Sequence, residues 1–413
     1  MRSTFLSFSP PSIGEEEIAE VLDTLRSEWL TTGPKVRRFE EEFAQFLGAP
    51  AALAVNSGTA ALHVALAALG IHRGDRVITT SMTFCSTIHV IEHVGARPIL
   101  VDVQPDTLNI DPQRVREAIR REVQEQAADH ARTAAAGRVK VLLPVHLYGH
   151  PCDMDALFDI AREYDLAVVE DAAHALPASY MGDLIGSESL SAQRLVPRSL
   201  TAFSFYATKN MTTAEGGMLT GPPRLVDEAR IWSLHGMSRD AFRRYSASGS
   251  WYYEVTRAGF KYNMSDLQAA LGLQQLRKLP RFEDRRRQIV ARYNAAFSEI
   301  EELELPVERA EVSHAWHLYV LRLNLARLTI DRSQFIDALK ERNIGASVHF
   351  IPIHFHAYYQ TRYGLRAADF PVASREYQRM VSLPISPGMS DADVEDVIEA
   401  VLHVVHQHRR RAS

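Results

Sequence analysis

Lys209 stands at a place in the sequence where a lysine could do covalent chemistry. It lies in the stretch FSFYATKN (203–210), in which two aromatic residues alternate before a short polar turn, and TAEGGM (213–218) follows. Such a lysine is either an ordinary solvated side chain or an amine held for reaction. Desolvation and neighbouring positive charge would lower its pKa and allow it to form a Schiff base.

A second candidate is the stretch NSGTAALH (56–63), which follows the apolar run AALAV. Asn56, Ser57 and Thr59 can cap a helix, and Gly58 lets the backbone approach a ligand closely. Free N–H groups and the helix dipole would then suit a phosphate, although a plain helix cap without a ligand explains this stretch equally well. The chain contains neither GxxxxGK[ST] nor GxGxxG, so a phosphorylated cofactor other than a nucleotide triphosphate or dinucleotide is favoured.

The stretch VVEDAAHA (168–175) ends an apolar run with two adjacent acids. Strand alternation should turn only one of them toward the carboxyl edge of a parallel sheet, where ligands bind. Asp171 there could pair with a positively charged ring nitrogen, and His174 could reach the same ligand. The alternative is structural, with Asp171 as a helix cap and His174 in an internal polar contact.

These three stretches together supply what pyridoxal phosphate (PLP) requires of a protein. The cofactor needs a phosphate holder, a carboxylate for its pyridine nitrogen and a lysine for its aldehyde. Each signal is weak alone, but all three follow apolar strand-like runs. Their common position favours a PLP site.

The strands and helices that alternate along the chain must position these residues. The chain has 413 residues, which is enough for a large domain and a smaller second one. Apolar β-branched runs alternate with amphipathic stretches, which predicts an α/β fold with a mostly parallel central sheet covered by helices. The predicted strands are 51–55, 75–80, 97–103, 139–148, 166–172, 201–206 and 216–221.

The pattern of predicted elements changes after about residue 260. Residues 265–300 read as a nearly continuous helix with a break at Pro280. Strands at 316–325 and 346–354, a helix around 335–343 and a last helix from Ser390 then predict a smaller α+β domain. We therefore divide the chain into 1–260, the large α/β domain, and 261–413, the linking helices and the small domain. Residues 121–138 are expected to form a surface helix and loop.

Composition excludes several classes of protein. Hydrophobic residues make up 46% and charged residues 23% of the chain, which is typical of a globular protein. The net charge of −5 gives no basis for nucleic-acid binding. No apolar run is long enough to span a membrane and no signal peptide is evident, so a cytoplasmic protein is expected. Two cysteines are too few for a disulfide framework.

The sequence resembles the DegT/StrS-type sugar aminotransferases of PLP fold type I. The resemblance covers residues 8–400 and rests on a combination of stretches. They are SEWLTTGPKVRRFEEEF, NSGTAALHVAL, GDRVITTSMTF, EDAAHA, FSFYATKN, TAEGGM and GFKYNMSDLQAALG. The resemblance implies an aspartate-aminotransferase-like large domain, amination of nucleotide-linked keto-sugars and a homodimer whose two active sites are shared at the interface.

The resemblance also implies roles for individual residues. Lys209 matches the imine lysine that shuttles a proton, and Asp171 matches the carboxylate on the pyridine nitrogen. The other matching positions are Phe84 on the ring face, Gly58, Thr59 and Ser204 at the phosphate, Asn263 reaching the phosphate from the partner subunit, and His174 where a glutamine is more usual. A lysine at position 209 favours amination, because related sugar dehydratases have a histidine there.

Further residues are expected near the nucleotide-sugar. The resemblance places His349, His354 and the segment WLTTGP there, and in that segment Trp29, Thr31 and Thr32 are the candidate contacts. Arg243 and Arg244 could meet a diphosphate, or they could belong to a solvated loop. The histidines in HFIPIHFH and HAWH are spread along strand-like stretches, so we expect no metal site.

The expected reaction passes an amino group from an amino acid, glutamate being favoured, through PLP to a nucleotide-diphosphate 4-keto-sugar. The entry segment SFSPPSIGEEEI (7–18) favours the 4-keto position by its likeness to enzymes that make 4-amino sugars for lipopolysaccharide or glycans, and a 3-keto substrate is nearly as well supported. Two alternatives stay open. They are a PLP-dependent dehydratase or lyase, and a non-catalytic PLP-binding regulator of the same fold.

Overall fold

A computed structural model describes residues 2–128, 137–193, 195–237 and 252–410 of the chain. The strands are β1 (Ala52–Val55), β2 (Arg76–Thr80), β3 (Arg97–Val101), β4 (Val139–Leu142), β5 (Ala167–Asp171), β6 (Ser179–Tyr180), β7 (Asp183–Leu184), β8 (Ser199–Ser204), β9 (Gly217–Thr220), β10 (Leu303–Glu304), β11 (Val312–Ser313), β12 (Tyr319–Leu323) and β13 (Met380–Leu383). The helices are α1 (Glu15–Arg26), α2 (Pro34–Leu47), α3 (Gly58–Ala68), α4 (Ser86–His93), α5 (Pro112–Ala128), α6 (Met154–Glu163), α7 (Glu188–Ala192), α8 (Pro223–Ser233), α9 (Asp266–Phe297), α10 (Arg332–Glu341), α11 (Ala357–Tyr363), α12 (Pro371–Tyr377) and α13 (Asp391–His408).

The predicted α/β core is confirmed. In the described part of the chain, seven strands form one sheet in the order β1-β9-β8-β5-β4-β2-β3. The pairs β2/β3, β2/β4, β4/β5 and β5/β8 are parallel, and β9 runs antiparallel to both of its neighbours. Every residue of β1, β5 and β9 is buried, as a sheet covered on both faces requires.

Apolar layers cover the two faces of this sheet. One layer contains Phe39 and Phe43 of α2 with Phe203 and Phe205 around β8, whose rings lie 5.3–6.0 Å apart. The other contains α3, in which every residue from Ala60 to Ala67 is buried. A helix that is apolar all round can be enclosed in this way, and its first turn is thereby fixed at the edge of the sheet.

The long helix α9 joins two cores. Leu273 and Leu276 pack in the core of the large sheet, whereas Tyr293 and Phe297 pack in the core of the smaller sheet. The helix is continuous and Pro280 lies inside it, so the predicted break at Pro280 is wrong. Proline removes one backbone hydrogen bond, but packing on both sides of Pro280 holds the helix together.

The smaller sheet has the order β10-β12-β13 and is antiparallel. The second half of α9 packs against it together with α10 and α13, and the Ser390 side chain accepts the Asp393 N–H at the start of α13. The strand predicted at 346–354 is wrong. There Ser347 makes a single bridge to Ser382 and residues 353–355 form a 3₁₀ turn, because Pro352 has no N–H to give to a ladder.

The division at 260/261 stays a prediction, since the first half of α9 packs on the large core although it follows that boundary. Of the segment 121–138, α5 is described as far as Ala128. Residues 129–136, Arg243 and Arg244 lie outside the described residues. Within the described ranges, no helix is both long enough and apolar enough to cross a membrane.

Candidate active site

A pocket of about 490 Å³ lies at the carboxyl ends of the parallel strands. The segments that follow β1, β2, β5 and β8 form much of its wall, as expected for an open α/β sheet. The pocket brings together eight of the predicted residues: Gly58, Thr59, Phe84, Asp171, His174, Ser204, Lys209 and His349. It does not include Trp29, Thr31, Thr32, Asn263 or His354.

Lys209 reaches the pocket from the turn after β8, where its N–H donates to the Tyr206 carbonyl at 2.9 Å. The side chain opens to the pocket, but protein surrounds it closely, and desolvation lowers the pKa of its amine to about 8. The negative charge of Asp171 acts in the opposite direction and does not cancel this effect. A large fraction of this amine is therefore neutral near pH 8 and able to accept a proton.

Asp171 ends β5 and is buried, with its carboxylate directed into the pocket. One of its oxygens accepts the Thr87 hydroxyl at 2.8 Å, and the other accepts the Ala173 N–H at 3.2 Å. Burial raises the pKa of this carboxyl above its ordinary value. A positively charged ligand group would complete its environment, because a buried carboxylate is stable only when it is paired.

The neighbouring acid, Glu170, lies away from the pocket. Its carboxylate accepts the Thr201 hydroxyl at 2.9 Å and contacts His146 Nε2 at 3.0 Å. His146 Nδ1 accepts the Cys152 N–H, so the ring must donate to Glu170 through Nε2. Strand alternation thus turns only Asp171 of the pair toward the pocket.

The start of α3 forms the anion-binding end of the pocket. Ser57 caps the helix and accepts the Ala60 N–H at 3.0 Å, while the N–H groups of Gly58 and Thr59 belong to the first turn and have no acceptor within the helix. A Cβ on Gly58 would lie 2.8 Å from the Cβ of Ser204, so only glycine allows this approach. The Ser204 hydroxyl therefore stands beside the positive end of the helix dipole, a suitable place for a phosphate.

Two predicted histidines contribute to another wall. His174 Nδ1 accepts the Tyr148 N–H at 3.2 Å, and its ring stacks 5.6 Å from Phe350. His349 Nδ1 lies 2.9 Å from the Ser382 hydroxyl, and its ring stacks 5.0 Å from Phe8. Burial lowers the pKa of His349 to about 4, so its ring is neutral at physiological pH.

The pocket also contains residues that sequence reasoning missed as site residues, namely Phe8, Tyr206, Glu215, His317 and Phe350. Tyr206 and Glu215 flank Lys209 in the stretches that we examined, so their proximity could have been inferred. The other three come from the N-terminal segment and the C-terminal part of the chain. Their local sequence carries no signal that they meet Lys209.

The remaining predicted residues lie outside the pocket of their own chain. Asn263 donates to the Thr32 hydroxyl at 2.6 Å, and the Thr31 carbonyl accepts the Asp266 N–H at 3.0 Å. Trp29 is partly exposed on the same segment. His354 is fully buried, with Nε2 2.9 Å from the Ser374 hydroxyl.

No set of three or more histidine, cysteine, aspartate or glutamate residues is arranged to hold a metal ion in the part of the chain that the structure describes.

The residues in the pocket fit PLP. A buried carboxylate can hold a protonated ring nitrogen, and an amine with a lowered pKa can reach the aldehyde. The glycine cradle at Gly58 and the Ser204 hydroxyl offer donors to the phosphate. Phe84 is 55% exposed in the pocket, which leaves a ring face free to stack on the cofactor. The fold and the site together define a PLP-dependent enzyme of fold type I.

Comparison with known proteins gives the family. The sequence model of the DegT/DnrJ/EryC1/StrS aminotransferase family matches residues 11–402, and the chain belongs to this family. It is 50% identical to the spore coat polysaccharide biosynthesis protein SpsC of Bacillus subtilis over 98% of each chain. The protein is thus a PLP-dependent sugar aminotransferase, as the resemblance implied.

Solved structures agree with this assignment. Spr1654 of Streptococcus pneumoniae, assigned as a sugar aminotransferase and solved in PLP, PMP and apo forms, is 33% identical to the chain. Its PLP form has a TM-score of 0.84, with 98% of this chain and 99% of that chain covered. DesV of S. venezuelae, solved with a ketimine intermediate, is 31% identical with a TM-score of 0.82 over 97% and 95% of the two chains.

Proposed function

We propose that the protein transfers the amino group of L-glutamate to a nucleotide-diphosphate keto-sugar, a 4-keto hexose or pentose, in the biosynthesis of amino sugars for lipopolysaccharide or another glycan. The observation that carries this proposal is the Lys209 amine, with its pKa of about 8, in the same pocket as the buried Asp171 carboxylate. The 50% identity to SpsC, named for polysaccharide biosynthesis, supports a glycan as the end product.

Most of the predicted residues in the pocket have a task in this proposal. When bound, PLP supplies an electron sink for the negative charge that develops on the carbon next to nitrogen. Asp171 holds a proton on the ring nitrogen, and Lys209 takes the proton from the substrate carbon and returns it. The phosphate is bound by the first-turn N–H groups of α3 and by Ser204. Phe84 stacks on the ring, and His174 donates to the ring oxygen.

Lys209 suits this task because of its surroundings. A base with a pKa near the working pH exists partly in its neutral form and still holds a transferred proton well. Desolvation brings the pKa of Lys209 from 10.5 to about 8, which is in this range. The negative charge of Asp171 raises the pKa of Lys209, but desolvation has the larger effect, so the lysine is not held permanently in its protonated form.

The proposed assembly is a homodimer with shared active sites. Asn263 bonds Thr32 and lies outside its own pocket, which supports the proposal that it reaches the phosphate across an interface. The face of α1 carries an exposed apolar stripe that continues beyond the helix, with side chains 38–53% exposed: Ile18, Leu22, Leu25, Trp29 and Leu30. An exposed stripe of this kind is typical of an interaction surface.

The same interface would bring the nucleotide-sugar contacts together. His349 lines the pocket of its own chain, whereas Trp29, Thr31 and Thr32 would be supplied by the partner subunit together with Asn263. His354 is buried behind the wall and would act only through packing, with its ring 4.7 Å from that of Phe370. Within each subunit we propose the division into a large PLP-binding domain, residues 1–260, and the linking helices with the small domain, residues 261–413.

A coupled assay tests the proposal. The purified holoenzyme is incubated with L-glutamate and a panel of nucleotide-linked 3-keto and 4-keto sugars, and the formation of 2-oxoglutarate and of amino sugar is measured. We expect both products in equal amounts with at least one 4-keto sugar, and loss of both in Lys209→Ala. The matched control Lys340→Ala, which changes an exposed lysine on α10, should retain wild-type turnover.

The two alternatives give different results in this assay. A dehydratase or lyase would change the sugar without consuming glutamate, and a PLP-binding regulator would change neither compound. Full turnover by Lys209→Ala would refute the assigned base.

A further inference from the structure

His317 is a pocket residue that the proposed reaction leaves without a task. It lies just before β12 and is 4% exposed, and it lines the same pocket as Lys209. The Arg286 guanidinium on α9 donates to the carbonyls of Trp316 and His317 at 3.1 and 3.4 Å. The backbone of this residue is therefore held firmly from a helix that belongs to both cores.

The residue after the catalytic lysine determines which nitrogen of His317 carries the proton. The Asn210 amide donates through Nδ2 to the carbonyls of Leu176 and Ala315, at 2.9 and 2.7 Å. Carbonyls only accept, so the orientation of this amide is fixed and its Oδ1 faces His317 Nδ1 at 3.2 Å. His317 must therefore donate through Nδ1.

The ring of His317 is neutral, because burial and the nearby His174 and Lys209 lower its pKa well below the ordinary value. A neutral imidazole carries one N–H, and Nδ1 has it. Nε2 is consequently an unprotonated acceptor, and no hydrogen bond to it occurs within the described residues. The pocket thus contains an unprotonated ring nitrogen, Nε2 of His317, that can accept a hydrogen bond.

His174 has the opposite tautomer. Its Nδ1 accepts the backbone N–H of Tyr148, which can only donate, so the proton of the neutral ring lies on Nε2. The centroids of the His174 and His317 rings are 4.4 Å apart. One wall of the pocket therefore offers a donor and an acceptor side by side, in fixed positions.

We propose that His317 is a specificity-determining residue whose Nε2 accepts a hydrogen bond from a sugar hydroxyl next to the reacting carbon. The inference rests on the proposed function and extends it to one group of the substrate. His174 lies next to Phe350 and His349, in a wall of flat rings to which Phe8 also belongs. Pockets of this composition orient a ligand through a few fixed polar atoms.

A hydroxyl fits this acceptor better than an ammonium group does. A neutral, desolvated imidazole forms a hydrogen bond with a neutral donor without placing a further charge in a pocket that already contains Lys209. A bound ammonium would instead be attracted to a carboxylate such as Glu215, which also lines the pocket. An acceptor left unpaired would disfavour a sugar that lacks the hydroxyl.

The tautomer is tested first, without any sugar. The holoenzyme is labelled with ¹⁵N-histidine, and the His317 signals are assigned by their loss in His317→Asn. We expect a protonated Nδ1 and an unprotonated Nε2 at pH 7. A proton on Nε2 would overturn the inference even if the enzyme is an active sugar aminotransferase.

The hydroxyl is tested by measuring the two half-reactions separately through the visible absorbance of the cofactor. The probes are L-glutamate with the PLP form and a nucleotide-linked 4-amino hexose in the reverse direction. In His317→Asn we expect the glutamate half-reaction within about threefold of wild type and the amino-sugar half-reaction slower by about 10- to 100-fold. Equal slowing of both would show that His317 serves the amine or the fold, and would refute the sugar contact.

Two matched comparisons complete the experiment. His317→Gln can place its amide oxygen near the position of Nε2, so we expect it to recover most of the amino-sugar rate. With an analogue that lacks the hydroxyl beside the amine, the His317→Asn change should have little further effect. A full effect on this analogue contradicts the inference, whereas failure of the wild type with every nucleotide-sugar probe refutes the proposed function instead.

Discussion

Replacing Lys209 with methionine should stabilise the cofactor-free protein at neutral pH. Methionine has nearly the same length and no charge, whereas Lys209 without a cofactor must keep an ammonium group in a desolvated pocket. The pKa of about 8 lies below the ordinary value of 10.5. In the unfolded chain the same amine is fully hydrated, so the penalty belongs to the folded state alone.

The magnitude follows from the size of the shift. A shift from 10.5 to about 8 corresponds to about 3 kcal/mol, because one pKa unit equals about 1.4 kcal/mol. The pocket admits some water, and the loss of a cation also leaves Asp171 less well compensated. We therefore expect Lys209→Met to raise the free energy of unfolding by about 2 kcal/mol at pH 7.

The sign of the pH dependence is opposite to that of a lysine in a salt bridge. Between pH 8 and 10.5 the unfolded chain binds the Lys209 proton and the folded chain releases it. Wild-type stability should therefore rise across this window relative to Lys209→Met, whereas below pH 8 the penalty is present in full. The advantage of the variant should be largest at pH 7 and should fall to about a quarter of that value by pH 10.

The assay is urea denaturation of the cofactor-free proteins at pH 7 and pH 10, followed by circular dichroism at one protein concentration, because dissociation of an oligomer would add a concentration dependence. Lys340→Met is the matched control. Its lysine is exposed, so stability should change by less than about 0.5 kcal/mol at either pH. Equal stability of wild type and Lys209→Met at pH 7, or a difference that stays constant up to pH 10, would refute the desolvation argument.

Three further outcomes are expected. Asp171→Asn should keep the fold, because Thr87 and Ala173 can still bond the side chain, but should lower kcat at least about 100-fold since the ring nitrogen loses its carboxylate; steady-state kinetics with saturating PLP checks this. Gly58→Ala should weaken PLP binding about 10-fold or more, because its Cβ would meet Ser204 at 2.8 Å. Titration of the apoprotein with PLP measures the Kd, and an unchanged affinity would contradict the argument that only glycine fits at position 58. Arg286→Leu should lower stability by about 3 kcal/mol, because carbonyls of two chain segments lose their buried donor, and thermal unfolding should show a lower Tm; an unchanged Tm would mean that the carbonyls find another partner.

The part of the site at the edge of the large sheet could be predicted from the sequence. Asp171, Ser204 and Lys209 each end or follow an apolar run, and parallel strands must bring their carboxyl ends to one edge. Gly58 could be inferred for the same reason, since it begins the helix after β1. The periodicity of two along a strand indicates that only one of Glu170 and Asp171 faces the site, and the family resemblance selects Asp171.

The other wall of the pocket could not be predicted, because distant segments form it. The N-terminal segment reaches the site through Leu6, which bridges Ile344, and through Ser9, which bonds the Thr208 carbonyl at 3.3 Å. His317 enters beside β12 of the smaller sheet. No local pattern records such meetings, since they depend on how two cores are placed against each other.

The helix α9 fixes the positions of two segments, the start of α2 and the segment that leads into β12. At its first residue, the Asp266 carboxylate accepts the N–H groups of Gly33, Lys35 and Val36 and so fixes the start of α2, while Arg286 holds the strand entry at His317. These two residues are 20 positions apart, which corresponds to about 30 Å along the axis and to nearly opposite sides of the helix. One inserted residue between them would turn the far end by about 100°, so the number of residues between Asp266 and Arg286 sets how the start of α2 and the entry to β12 lie relative to each other.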